Sequence, residues 1–151
     1  MRKRVQVLHG VNLDMLGSRP SEHYGSFTLS ELEYKIEGFA DDLDLEVATF
    51  QTNSEGEYVE QLHAARERTD GLILNPGAWT HYSWAIRDAL EIAGLPAVEV
   101  HLSDLLQRED WRQLSVVREL CFKTVTGRGP DGYKQALSAL AERLNANEAD
   151  A

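Results

Sequence analysis

Glutamate, histidine, tyrosine and arginine fall in this chain at spacings suited to moving protons. Glu99 and His101 stand two residues apart in PAVEVHLSD, and on a strand that spacing sends both side chains to one side. A carboxylate beside an imidazole orients the ring and favours its charged form, which makes a proton donor near neutral pH. The plainer reading is a pair of solvent-facing polar residues at a strand end. Arg19 precedes Tyr24 by five residues, and an arginine beside a phenol favours the phenolate. Lowering a phenol's pKa by about three units takes about 4 kcal/mol. One solvated guanidinium falls short of that, whereas two in a closed, dry site can supply it. Arg108 in QREDWR is the candidate second, while spacing alone also allows Tyr24 as a packing residue.

The stretch NPGAWTHYSWAIRD, from Asn75 to Asp88, adds an amide, a Gly turn and His81 directly after the apolar run DGLIL. Apolar runs also end in polar groups at Asn12, after VQVLHG, and at His101, after AVEV. An apolar run ending in hydrogen-bonding residues reads as the carboxyl end of a buried parallel strand, the edge where open α/β sheets bind ligands.

The elements that must position these groups alternate. Strands are expected at Val5–His9, Leu45–Gln51, Gly71–Leu74, Ala97–Val100 and Leu120–Thr126. Helices are expected near Leu29–Leu43, Gly56–Arg68, Tyr82–Ala93 and Gly132–Asn145. Thr28 and Glu31 fit a capping box, and Gly94 with Pro96 closes the third helix. This alternation implies a three-layer α/β sandwich around a five-stranded parallel sheet, suited to the flavodoxin-like order 2-1-3-4-5. Residues 1–146 are read as one catalytic domain and 147–151 as a flexible tail. The connection from Asn12 to Ser26 is longer than usual and reads as a lid over the ligand edge.

Composition removes several classes. The chain has 151 residues and a formal net charge of −10, which argues against nucleic acid, since counterion release needs clustered cations. A small anion remains possible, because Arg19, Arg108 and Arg112 can form a local positive site. No apolar run is long enough to span a bilayer, and MRKR leads into a strand too short for a secretory core. A cytoplasmic protein is expected. The single cysteine, Cys121, lies in an apolar, strand-like run and reads as a small core residue. Gly127-Arg128-Gly129-Pro130-Asp131-Gly132 has the spacing of a dinucleotide fingerprint, but only a helix and a tail follow it, so its glycines are read as a turn. His63 is read as solvated. His9, His81 and His101 lie near one sheet edge, yet no HxH or HExxH spacing supports a metal site. No serine sits in a GxSxG turn.

Taken together, GVNLDMLGSR, the Tyr24–Gly25 pair, QTNSEGE, DGLILNPGAWTHYSWAIRDA, PAVEVHLSD and REDWR resemble the type II 3-dehydroquinate dehydratases from Val5 to Leu140. The resemblance implies a flavodoxin-like fold, a dodecamer built as a tetramer of trimers, and cofactor-free, metal-free anti elimination of water from 3-dehydroquinate through an enolate. It implies Tyr24 as base, with Arg19 and Arg108 holding it as phenolate, and Asn12 as enolate stabiliser. It implies His101, oriented by Glu99, as the acid on the departing hydroxyl, and Asn75 as the holder of that hydroxyl. Backbone amides of Leu102 and Ser103, with the Ser103 hydroxyl, would bind the carboxylate of a small anionic cyclic substrate. His81 and Arg112 would take its other hydroxyls, and Asp88 would reach a neighbouring subunit's site.

The chain departs from the family pattern at His9 (usually Asn), Val11 (usually Pro), Ser54 (usually His) and Asp104 (usually Asn). Glu119 and Lys123 stand near an expected Pro and Gly in a drifted stretch, 113–125. These positions bear on the first turn, the assembly surface and substrate preference, and leave biosynthesis, quinate catabolism or specialised metabolism open. One alternative keeps the mechanism and changes the substrate to a related cyclic β-hydroxy ketone or amino analogue. Another is a non-catalytic flavodoxin-like binding protein. Trp79 near Trp84 gives its flavin version weak support, and a receiver version lacks the acidic cluster after the first strand.

Overall fold

A computed structural model describes residues 1–150, with side chains described through residue 148. Five parallel strands, β1 (Lys3–His9), β2 (Leu45–Gln51), β3 (Gly71–Asn75), β4 (Ala97–His101) and β5 (Lys123–Thr126), form one sheet of order β2-β1-β3-β4-β5. The expected order is the one observed.

Period-two alternation divides the core. Val5, Val7, Ile73, Val98 and Val100 pack against α2 (Leu29–Asp42) and α6 (Asp131–Asp150). Leu8, Leu72, Leu74 and Ala97 face α3 (Glu55–Arg68) and α4 (Trp84–Ala93). Each fully buried Leu or Ile contributes roughly 1.5–3 kcal/mol, so a one-residue slip that turned these faces inside out would be heavily penalised.

Local signals set the helix ends. The Thr28–Glu31 capping box forms on α2, and Gly94 ends α4 in the left-handed conformation at φ 62°. Two family departures become caps. Ser54 Oγ accepts the Glu57 N–H at the start of α3. Asp104 Oδ1 accepts the Leu106 N–H ahead of a 3-10 turn, Leu105–Gln107.

Several boundaries shift by a residue or two, and three differences change how a segment is read. A 3-10 turn, Gly77–His81, occupies the chain before α4, which begins at Trp84 because Ser83 Oγ caps the Ile86 N–H. Another 3-10 turn, Arg118–Leu120, delays β5 to Lys123. Cys121 therefore precedes the strand and is only partly buried. The last helix passes Asn145 and runs through Asp150, and the final residue of the expected tail, 151, lies outside the described residues. Gly127 and Gly129, at φ 70° and 56°, turn β5 into α6. The Asn12–Ser26 connection is partly ordered as a 3-10 turn (Leu13–Met15) and the short helix α1 (Ser21–Tyr24), pinned by buried Leu13 and Leu16. Among the described residues, no helix is long and apolar enough to cross a membrane.

Candidate active site

The carboxyl ends of β1, β3 and β4 open into a cleft lined by Asn12, Arg19, Tyr24, Asn75, His81 and His101, at the edge where open α/β sheets bind ligands. Its floor depends on a close approach of two loops. Gly10 N–H donates to the Asn75 carbonyl at 2.7 Å, and a Cβ at Gly10 would collide with the Pro76 carbonyl. Asn12 follows in the left-handed conformation at φ 70°. Its N–H donates to Asn53 Oδ1 at 2.9 Å, and Asn53 is also held by Gln51 and Asp14. Sequence reasoning missed Asn53, whose partners lie in another loop.

On one wall, Arg19 Nη2 donates to the Tyr24 oxygen at 2.9 Å and Arg108 Nη1 donates to it at 3.1 Å. The Arg19 guanidinium also lies 3.7 Å from the Tyr24 ring centroid. Arg108 follows β4 through the 3-10 turn capped by Asp104, and its side chain is only 7% exposed. The same Nη1 donates to Ser103 Oγ at 3.2 Å. The serine oxygen is thereby occupied as an acceptor, and its proton remains to donate.

On the other wall, Glu99 Oε2 and His101 Nε2 are 2.6 Å apart, as expected for neighbours on one face of β4. Burial pushes the fully buried Glu99 carboxyl up, but His101, Ser115 and Arg118 together hold it below its ordinary value. His81 comes from the turn after β3, its ring stacked 6.5 Å from that of His101. Its Nδ1 donates to the Leu114 carbonyl at 2.6 Å. Burial pushes its pKa down, the Leu114 carbonyl partly offsets this, and the charges of His101 and Arg112 lower it further. Burial thus favours the neutral ring, in which Nδ1–H faces the Leu114 carbonyl and Nε2 is the acceptor.

Asn75 lies between the walls, its amide donating to Tyr133 Oη at 3.2 Å and its Oδ1 accepting the Gly77 N–H at 3.3 Å. Leu102, Ser103 and Arg112 line the same cleft. Arg112, on the short helix α5 (Asp110–Gln113), is braced by Glu109 at 2.8 Å. Of the expected site residues, Glu99 and Arg108 support the lining from behind, and Asp88 alone is remote, exposed on α4. Tyr133, Ser115, Arg118 and Thr124 were not legible, because each reaches the site from a distant segment.

Other readings fare differently. Trp79 is buried against Tyr58 at 5.6 Å while Trp84 is 63% exposed, so the two do not flank a flavin. His63 is exposed. His9 is buried beneath the cleft against Tyr133, 5.8 Å between centroids, and does not line it. Among the described residues, no three His, Cys, Asp or Glu side chains converge to hold a metal ion.

A 2-1-3-4-5 parallel sheet carrying this paired imidazole and guanidinium-bound phenol at its carboxyl edge defines a flavodoxin-like α/β enzyme. Residues 3–141 match the family Dehydroquinase class II. The chain is 46% identical over 138 residues to the 3-dehydroquinate dehydratase of Pelotomaculum thermopropionicum, covering 91% of this chain and 96% of that one. It superposes on the type II dehydroquinase of Propionibacterium acnes with a TM-score of 0.89 at 40% identity, covering 94% and 98% of the two chains. The type II dehydroquinase of Butyrivibrio crossotus gives 0.88 at 36% identity, over 95% and 98%. The chain belongs to the class II dehydroquinases.

Proposed function

We propose that this enzyme is a type II 3-dehydroquinate dehydratase, removing water from 3-dehydroquinate to give 3-dehydroshikimate. The observation that carries the reading is the convergence of Arg19 and Arg108 on the Tyr24 oxygen, in a cleft whose other wall holds the Glu99–His101 pair. Elimination from a β-hydroxy ketone needs a base at the carbon next to the ketone, a stabiliser for the enolate and an acid at the leaving oxygen.

Tyr24, whose oxygen receives both guanidinium donors, removes the proton. Asn12, fixed by Asn53, stabilises the negative charge that grows on the ketone oxygen, through a water. His101, oriented by Glu99, protonates the departing hydroxyl while Asn75 holds it. The substrate carboxylate is bound by the Leu102 and Ser103 amides and the Ser103 hydroxyl. Arg112 and neutral His81 take the remaining hydroxyls, His81 Nε2 as an acceptor. Every proton in this scheme is moved by a side chain of the protein, so the reaction requires neither cofactor nor metal.

Asp88, exposed on α4 near the exposed side chains of Trp84 and Ile92, supports an assembly in which it completes a neighbouring subunit's site. The assembly proposed is a dodecamer, a tetramer of trimers, acting in the cytoplasm. The test of the activity is direct. Purified protein in the presence of chelator, mixed with 3-dehydroquinate, is expected to raise the absorbance of the conjugated enone. No rise would overturn the reading.

A further inference from the structure

Glu99 is fully buried, and a carboxylate removed from water persists only where donors surround it. Its Oε2 meets His101. Its Oε1 accepts the Ser115 hydroxyl at 3.1 Å and the Thr124 hydroxyl at 3.4 Å, with Arg118 Nε at 3.8 Å. The Ser115 rotor is fixed, because its oxygen already accepts the Val117 and Arg118 backbone N–H at 3.3 and 3.2 Å. Its single proton is left for Glu99. The preceding residue, Leu114, supplies the carbonyl that fixes His81. Two consecutive residues thus give the cleft histidines opposite roles: one is neutral and accepts, the other is paired with a carboxylate and donates. The segment is tied back to α4, where Arg87 Nη1 donates to the Val116 carbonyl at 2.8 Å and its Nη2 donates to Glu119 at 3.2 Å.

We propose that Ser115 and Arg118 are positioning residues for the elimination, acting on His101 through Glu99, and that Arg87 anchors the segment carrying them. The proposal rests on His101 being the acid. It accounts for how this stretch supports the site: Arg118 and Glu119 tie it to Glu99 and Arg87.

The test uses Ser115→Ala, Arg118→Gln and Arg118→Lys in the full chain, with steady-state kinetics and crystal structures of each. Arg118 has a side chain 45% exposed, so its replacement leaves the fold in place. Losing the Ser115 hydrogen bond or the Arg118 charge beside a buried carboxylate is expected to lower kcat roughly five- to twentyfold. KM should stay within about twofold, since neither residue lines the cleft, and Arg118→Lys should recover most of the loss. In the crystal structures of Ser115→Ala and Arg118→Gln, the Glu99 carboxylate should be rotated or displaced from His101. Unchanged kcat in both variants, a KM that rises in step with the loss, or no recovery by lysine would overturn the proposal. If the unaltered enzyme fails to turn over 3-dehydroquinate, the functional reading falls separately. The crystal structures then decide the positioning role alone, and an unmoved Glu99–His101 contact would overturn it.

Discussion

Arg108 reaches the Tyr24 oxygen at 3.1 Å although 84 positions separate them in the chain. The loop after β1 and the loop after β4 therefore meet at one phenol, with Arg19 as its second donor. Removing this long-range donor with Arg108→Ala is expected to lower kcat/KM roughly 10²-fold, since a hydrogen bond to a charged group contributes about 1.5–3 kcal/mol. Lysine should recover only part, because one ammonium does not reproduce a planar fork shared between Tyr24 and Ser103. Steady-state kinetics decide, and a loss below about threefold would contradict the assigned role.

The neutral state of His81 makes a separable prediction. In the proposed scheme His81 contributes binding, through an acceptor nitrogen set by the Leu114 carbonyl, so His81→Ala should raise KM about tenfold with a smaller effect on kcat. A loss confined to kcat would place His81 in the chemistry instead.

Buried His9 should leave a mark on acid stability. Burial pushes its imidazole from the ordinary 6.5 down to about 4, and neither ring nitrogen has a hydrogen-bond partner among the described residues. Between those values the unfolded chain binds a proton that the folded chain refuses. Stability therefore rises with pH across this window and levels off above it. Acidification from neutrality to pH 4 should cost about 3 kcal/mol through this group alone. Urea melts at pH 4.5 and 7 are expected to show wild type losing about 2–3 kcal/mol more than His9→Asn over the same change. Equal losses would contradict the assignment.

Gly10 makes a steric prediction at the floor of the cleft. An added methyl would meet the Pro76 backbone, so Gly10→Ala should destabilise by roughly 2–3 kcal/mol and reduce activity by shifting the Asn12 and Asn75 turns together. An unchanged urea midpoint would contradict this.

Much of this was legible because it is periodic or local. The alternation that separates Val7 from Leu8 predicts the layers. The cap residues Thr28 and Gly94 predict helix ends. Glu99 and His101 meet because a strand repeats every two residues. Arg108 was legible only as a candidate, since its contact depends on two loops closing on one another. Ser115, Arg118 and Tyr133 were illegible for the same reason: hydroxyls and guanidinium groups carry no periodic signal, and their partners are fixed by tertiary packing. The late start of β5 was hidden because the apolar run around Leu120 and Cys121 serves a 3-10 turn and its exit as well as it would a strand.

The most direct test of the account is Tyr24→Phe. The substitution removes the oxygen on which Arg19 and Arg108 converge and leaves Ser103, His81 and Arg112 in place. Turnover of 3-dehydroquinate is expected to fall roughly 10³-fold or more, while binding of a non-reacting cyclic carboxylic acid, measured by calorimetry, stays within about threefold. Turnover within tenfold of the unaltered enzyme would contradict the assignment of Tyr24 as the base.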